Sequence, residues 1–400
     1  MKNITLTSPK GFLAAGISCG IKKSGNKDIA IISCPTGAKA AAVFTTNKVV
    51  SAAVTICKNH SKSASVEAVV VNSGNANTCT GTAGLKNAEI MCKIAAQLLG
   101  TKPNQVLVAS TGIIGHQLPM QNVSTGIILA AAQLANNQKA GENFAHAIMT
   151  TDTKCKQAFK TVRIGNAEIK IAGTTKGAGM IGPNMATTLC FITTDANITK
   201  PLLQKALSEA VGQSLNKLTV DGHQSTNDTA LILASGLAGN KIINKQDSPY
   251  KKFAAALFDL CTDLAKQMAL DAEGATRMFT VEISGAANKA EAAKAARAIA
   301  DYDLVKCAIH GGDPNWGRII CAVGSCGVKI NPNKLSCSIG GITVFKNGQP
   351  VKFDPKKVSR IISSKEHTIA VSLGAGKHSD FCYGCDLSKD YVTINADYHT

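Results

Sequence analysis

Two adjacent threonines follow a loop of small residues in the run 176-KGAGMIGPNMATTLCFITTDA-196, and an apolar, strand-like segment follows them. A threonine hydroxyl inside a chain is a poor nucleophile, because it is almost never ionised at neutral pH and needs a base. Cutting the peptide bond in front of Thr187 would supply one. The new α-amino group would sit on the same residue, with an ordinary pKa of roughly 7.7–8.0. An N-terminal threonine carries nucleophile and base together. The hydroxyl could make the cut itself by attacking the carbonyl of Ala186, whose methyl group offers little hindrance. Pro183 and Asn184 can fix a tight turn just before it. The same residues also fit a plain Gly/Pro loop entering a strand, and on their own they do not separate the two readings.

Elements that would position such a site alternate along the chain. Strands are expected at 68-AVVVNSGN-75, 105-QVLVASTG-112, 189-LCFITTDA-196, 278-MFTVEISG-285 and 391-YVTINADY-398, all rich in β-branched or aromatic residues. Helices are expected at 86–100, ending on Gly100, and at 199–215, opening with Thr199 and Pro201. Two more are expected at 252–270 and 289–301. The stretch 330–355 reads as a small hairpin system turning at Asn347-Gly348. Alternation without a short repeat points to a layered α/β protein.

Composition narrows the function. With 400 residues and 45% hydrophobic content the chain can bury a large core. The N-terminus has no long apolar stretch and no run is long enough for a membrane span, so a soluble, cytoplasmic protein is expected. Fourteen cysteines are scattered singly, which favours reduced thiols. Cys382 and Cys385 form the one CxxC, and with no second pair at finger-like spacing no metal site is expected. The net charge of +17 is uneven: residues 1–186 carry 19 Lys+Arg against 6 Asp+Glu, and residues 187–400 carry 24 against 20. Aromatics are only 4% and no nucleic-acid signature is present, so a field attracting small carboxylates, or simple solvation of the surface, suits the charge better than RNA or DNA.

The segment 176-KGAGMIGPNMATTL-189 resembles the processing site of the ornithine acetyltransferase family, the bifunctional glutamate N-acetyltransferases/amino-acid acetyltransferases of arginine biosynthesis. The resemblance extends along the chain through 44-FTTNKV-49, 71-VNSGNANTCTG-81, 109-ASTGIIG-115, 149-MTTDTK-154, 225-STNDT-229, 271-DAEGATR-277, 311-GGDPNWGRI-319 and 393-TINADYHT-400. It implies cleavage between Ala186 and Thr187, giving an α-chain of 1–186 and a β-chain of 187–400 that stay intertwined as one folded unit. Thr187 becomes the nucleophile, and Thr188 an ordinary strand residue. Thr111 and Gly112 resemble the oxyanion-hole pair of the family. Thr153, Lys176, Thr187, Glu273, Asn395 and Thr400 fall on its substrate-binding positions.

The implied fold is a layered α/β sandwich of the N-terminal-nucleophile-like type with a second, smaller lobe. The implied activity moves acetyl from N2-acetyl-L-ornithine to L-glutamate through an acetyl-threonine, with acetyl-CoA as a further donor in some members, no cofactor, and an α2β2 assembly. A hydrolase or aminopeptidase of the same architecture is the alternative enzyme, and a basic, uncleaved binding protein the alternative of another class. Departures from the family pattern at His223, Ala272, Arg277 and His399 leave substrate preference open.

Overall fold

The computed structural model describes residues 4–182 and 188–397. Ala186, Thr187, His399 and Thr400 lie outside the described residues, so the expected nucleophile, cleavage bond and terminal threonine are known from sequence alone.

Small and β-branched residues build one sheet in the first lobe. Its strands are β1 (Leu13–Ile17), β2 (Ile29–Phe44), β3 (Val66–Asn75), β4 (Val106–Ile113), β5 (Lys156–Ile164), β6 (Ala167–Lys176), β7 (Leu189–Thr194) and β8 (Thr229–Ala234). Their order is β4-β3-β2-β8-β7-β6-β5, with β1 on β2. Strand β2 serves both halves: Ile29–Ser33 pair with β1 and β3, and Lys39–Phe44 pair with β8. Between them the register breaks at Pro35, which lacks an amide donor, and Gly37, at φ 75°.

That break lets one half of the sheet fold over the other. Val69, Val71 and Leu107 pack against Leu189, Phe191, Leu231 and Leu233. Their alternate neighbours point outward, as the two-residue period of a strand requires. Ala68, Val70, Val106 and Val108 meet α2 (Gly81–Leu99) and α3 (Met120–Ala132), with α1 (Ala52–His60) alongside. Cys190, Ile192, Ala230 and Ile232 meet α5 (Lys200–Gln213) and α6 (Ser248–Leu270). Helix α4 (Gln138–Ala147) closes an edge against β1, with Phe144 inside the central core. Two sheet layers between helices is the expected architecture.

The second lobe carries β9 (Met278–Ala286), β10 (Ser336–Ile339), β11 (Ile342–Lys346), β12 (Gln349–Pro350), β13 (Glu366–Ser372) and β14 (His378–Cys385), in the order β12-β11-β10-β13-β9-β14. Helices α7 (Lys289–Asp301), α8 (Asp303–His310), α9 (Trp316–Ser325) and α10 (Pro355–Ile362) accompany it, and α7 to α10 all contribute to its apolar core. Asn347 and Gly348 turn the β11–β12 hairpin with φ of 49° and 77°, the double-positive pattern of a type I′ turn. The lobes dock through Lys306, whose Nζ donates to the carbonyls of Val220 and Cys385, and through the Lys217–Asp380 ion pair at 2.6 Å.

One expected strand is a helix. Residues 391–398 alternate Val392 and Ile394, yet Lys389–Asp397 form α11. The amide of Tyr391 donates to Ser388 Oγ at the helix start, and none of the helix's residues is buried. Without a buried face the β-branched residues have no sheet surface to fill, and local capping decides. Cys382 and Cys385 lie on β14 with their side chains in different cores, one in each lobe, so they do not converge on a common point. Among the described residues no helix is long and apolar enough to cross a membrane.

Candidate active site

The ends of β4 and β6, the turn before β8, the loop after α6 and helix α11 converge on one cavity. Thr111, Gly112, Lys176, Glu273 and Asn395 all line it. Gly112 ends β4 at φ 133°, and a Cβ there would lie 2.3 Å from the carbonyl carbon of Gly74. Only glycine allows β3 and β4 to approach so closely. Beneath them Asn227 uses its whole amide: Nδ2 donates to the carbonyls of Ala76 and Ser110 at 2.7 Å each, and Oδ1 accepts from Thr78 and Thr226. The words 71–81 and 225–229 are thus the buried polar network that holds Thr111 in place.

Lys176 ends β6 only 3% exposed, and its Nζ stands 3.4 Å from Thr111 Oγ1. Burial lowers its pKa, and the Asp152 carboxylate opposes that loss. Asp152 accepts from the amides of Gly177 and Thr150 and from Lys156 Nζ, at 2.8, 3.0 and 2.5 Å. Burial alone would raise the Asp152 carboxyl, but Lys176, then Lys156 and the Gly177 amide outweigh it and hold it at about 2. Lys156 also reaches Asp271 at 2.5 Å. Asp152 and Lys156, four residues apart and paired with each other, are functional candidates that sequence did not single out, because their burial and their contacts with Gly177 and Asp271 come from distant parts of the chain.

Thr153 is not brought into the cavity. Its amide and its hydroxyl both donate to Asp271, so it ties the 149–154 loop to the 271–277 loop instead. Glu273 is seated by its neighbours: its amide donates to the Ala178 carbonyl, and a Cβ on Gly179 would fall 2.2 Å from Glu273 Oε2. Asn395 Nδ2 donates to that same oxygen at 2.9 Å, so α11 brings Asn395 to the cavity wall.

Thr188, next to the expected nucleophile, is buried, with its hydroxyl toward Met268 Sδ. Its amide donates to Asp228 Oδ1 at 2.8 Å, and Asp228 Oδ2 has no partner among the described residues. Burial pushes the Asp228 carboxyl well up, with the Thr188 amide and then Lys176 opposing it. Asp228 therefore anchors the chain one residue beyond Thr187, a role the sequence did not mark. Three departures from the family pattern point away from the cavity: Arg277 donates to the carbonyls of Ile309 and His310, Ala272 is buried in the first-lobe core, and His223 is exposed beside Asp221.

A buried ammonium, a hydroxyl and a strand end can stabilise negative charge on an acyl oxygen or a carboxylate, and Glu273 can receive an ammonium. The ArgJ family model matches residues 13–400. The chain belongs to the ArgJ family. It is 45% identical to the arginine biosynthesis bifunctional protein ArgJ of Symbiobacterium thermophilum over 397 residues, covering 99% of this chain and 98% of that one. The ArgJ protein of Bacillus cereus is 43% identical over 401 residues, covering 100% and 98%. A crystal structure of ArgJ from Bacillus halodurans matches at a TM-score of 0.51 and 44% identity, covering 52% of this chain and 98% of that chain. As an ArgJ-family member the protein is an acyltransferase of arginine biosynthesis.

Proposed function

We propose that the chain cuts itself between Ala186 and Thr187 and then moves acetyl from N2-acetyl-L-ornithine to L-glutamate. In the cut, Thr187 Oγ attacks the Ala186 carbonyl and the peptide C–N bond gives way to an ester. Water hydrolyses the ester, leaving a carboxylate on Ala186 and a free amine on Thr187. In transfer, Thr187 Oγ gives its proton to that amine and attacks the acetyl carbonyl, while Thr111 and the Gly112 amide stabilise the oxyanion. The acetamide C–N bond breaks, ornithine leaves with the proton, and an acetyl ester stays on Thr187. Glutamate's amine then attacks the ester, and the proton returns to Oγ. Lys176 meets a substrate carboxylate and Glu273 with Asn395 meets an ammonium; Thr400 closes the site from the tail, while Thr153 acts through Asp271.

The observation that carries this reading is that Thr111, Gly112, Lys176, Glu273 and Asn395, scattered over nearly 300 residues of sequence, line one cavity. Support for two chains comes from the Bacillus halodurans structure, a chain whose near-whole length matches about half of this one. A cytoplasmic α2β2 enzyme that also accepts acetyl-CoA completes the reading. Intact-mass analysis with N-terminal sequencing tests it: the wild type gives two fragments, the second starting Thr-Thr-Leu-Cys-Phe, and Thr187→Ala stays whole. An uncut wild type refutes self-processing, and acetate release indifferent to glutamate points to a hydrolase instead.

A further inference from the structure

Beside the catalytic cavity, and sharing Thr150 with it, lies a pocket of about 540 Å³ with an excess of cations. Lys22, Lys27, Lys139 and His146 line it, and Asn143 adds an amide. Lys139, Asn143 and His146 stand at intervals of four and three on α4, which puts them on one helix face. The one carboxylate in the lining is Asp152, and both its oxygens are already taken by Lys156 and the amides of Gly177 and Thr150. Three lysines in the lining thus face a single carboxylate that Lys156 already shares.

Lys22 links this pocket to the site. Its Nζ donates to the carbonyls of Lys27 and Met149 at 2.7 Å each, which leaves the third ammonium hydrogen for a ligand. Its stem lies on Gly74, where a Cβ would be 3.0 Å from Lys22 Cγ, and Gly74 in turn abuts Gly112. The basic pocket therefore sits one glycine away from the backbone that would stabilise the oxyanion. Burial, with Asp28 opposing, lowers the Lys22 pKa to about 8, so an anion beside it would hold its proton in place.

We propose that this pocket binds phosphate groups, either those of a phosphorylated acyl carrier such as the coenzyme A of a second acetyl donor, or free phosphate. The proposal rests on the acetyl-transfer reading only for the first source. Ammonium groups, a protonatable imidazole and side-chain amides are the donors that multiply charged phosphate oxygens require. The two cavities meet at Thr150, so a donor whose acetyl group sits in the first would extend its carrier past that residue toward the lysines.

Titration calorimetry with inorganic pyrophosphate, on the wild type and Lys139→Glu, tests it. Lys139 is exposed near the N-terminus of α4, where glutamate is well tolerated, so the fold is kept. Saturable binding by the wild type, weakened at least tenfold in Lys139→Glu while acetylornithine-to-glutamate transfer is unchanged, is expected. No saturable binding, or equal affinity in the two proteins, overturns the proposal. A tenfold rise in KM for acetyl-CoA in the variant, with KM for acetylornithine unmoved, assigns the phosphate to the carrier; weakened pyrophosphate binding without that rise assigns it to free phosphate. Absence of any acetylornithine transfer in the wild type counts against the acetyl-transfer reading alone.

Discussion

Replacing Lys156 with methionine keeps most of the volume of the side chain and removes the ammonium shared by Asp152 and Asp271. The side chain is 1% exposed and its Nζ stands 2.5 Å from each carboxylate. Removing one partner of a buried pair costs about 3–5 kcal/mol, because the other charge is left uncompensated. Asp152 retains Lys176 and the amides of Gly177 and Thr150, so a loss near about 3 kcal/mol is expected. With a urea slope of about 3 kcal/mol per molar for a large chain, the unfolding midpoint at pH 7 should fall by about 1 M. Acid unfolding supplies the sign. The Asp152 pKa of about 2 lies below its unfolded value, so its contribution is present above about pH 4 and lost as pH falls toward 2. That contribution is about 2–3 kcal/mol. In Lys156→Met burial meets less opposition, the folded pKa moves up, and the acid limb becomes shallower. Asp271→Asn added to Lys156→Met should restore part of the loss. A single variant with the wild-type midpoint and the wild-type acid limb would refute the claim that this buried pair holds the two loops together.

Thr111→Val keeps the shape and removes the hydroxyl; kcat should fall roughly 10²–10³-fold with little change in KM, and equal loss in both would contradict an oxyanion role. Glu273→Gln should raise KM for acetylornithine roughly tenfold or more, as one charge-assisted contact of about 1.5–3 kcal/mol is removed. His367 is buried against Phe279 with neither ring nitrogen bonded, and burial, then Arg277, lowers its pKa to about 4. Its folded pKa lies below the unfolded one, so stability is lost as pH falls from about 6.5 to about 4, and the gain in urea midpoint of His367→Leu over the wild type should be larger at pH 4.5 than at pH 8.

Strands in the interior were legible because their residues alternate between two cores: Val69 and Val71 face one, Ala68 and Val70 the other. The Asn347-Gly348 turn was legible because only a few residues adopt two successive positive φ angles. Residues 391–397 were misread because Val392, Thr393 and Ile394 favour strands wherever a sheet surface exists, and this surface helix has none. The family's words named Thr111, Gly112, Lys176, Glu273 and Asn395 singly, but not that they line one cavity or which partners hold them. The Thr153 hydroxyl meets Asp271, 118 residues away, a tie between two loops that the local word does not show. Asp152 and Lys156 stand four apart, but the burial of their pair and its tie to Asp271, like the burial of Asp228, depend on distant segments.

The position of the expected cut relative to the sheet explains how a chain could tolerate it. The twelve residues 177–188 join β6 to β7, which pair antiparallel from Ile171–Lys176 to Leu189–Thr194. Across that bond β2 also pairs with β8 over six residues, and Val69, Val71 and Leu107 from one side pack against Phe191 and Leu231 from the other. Cleavage therefore removes one short connection and leaves two ladders and a shared core. For so short a loop the chain-closure contribution is only a few kcal/mol, set against a buried interface the size of a domain core. In the uncut chain the Thr188 amide already donates to Asp228, one residue beyond the expected cut. The energy that would position a new N-terminus is thus supplied by contacts formed before the terminus exists, and native fragments of 1–186 and 187–400 should separate only in denaturant.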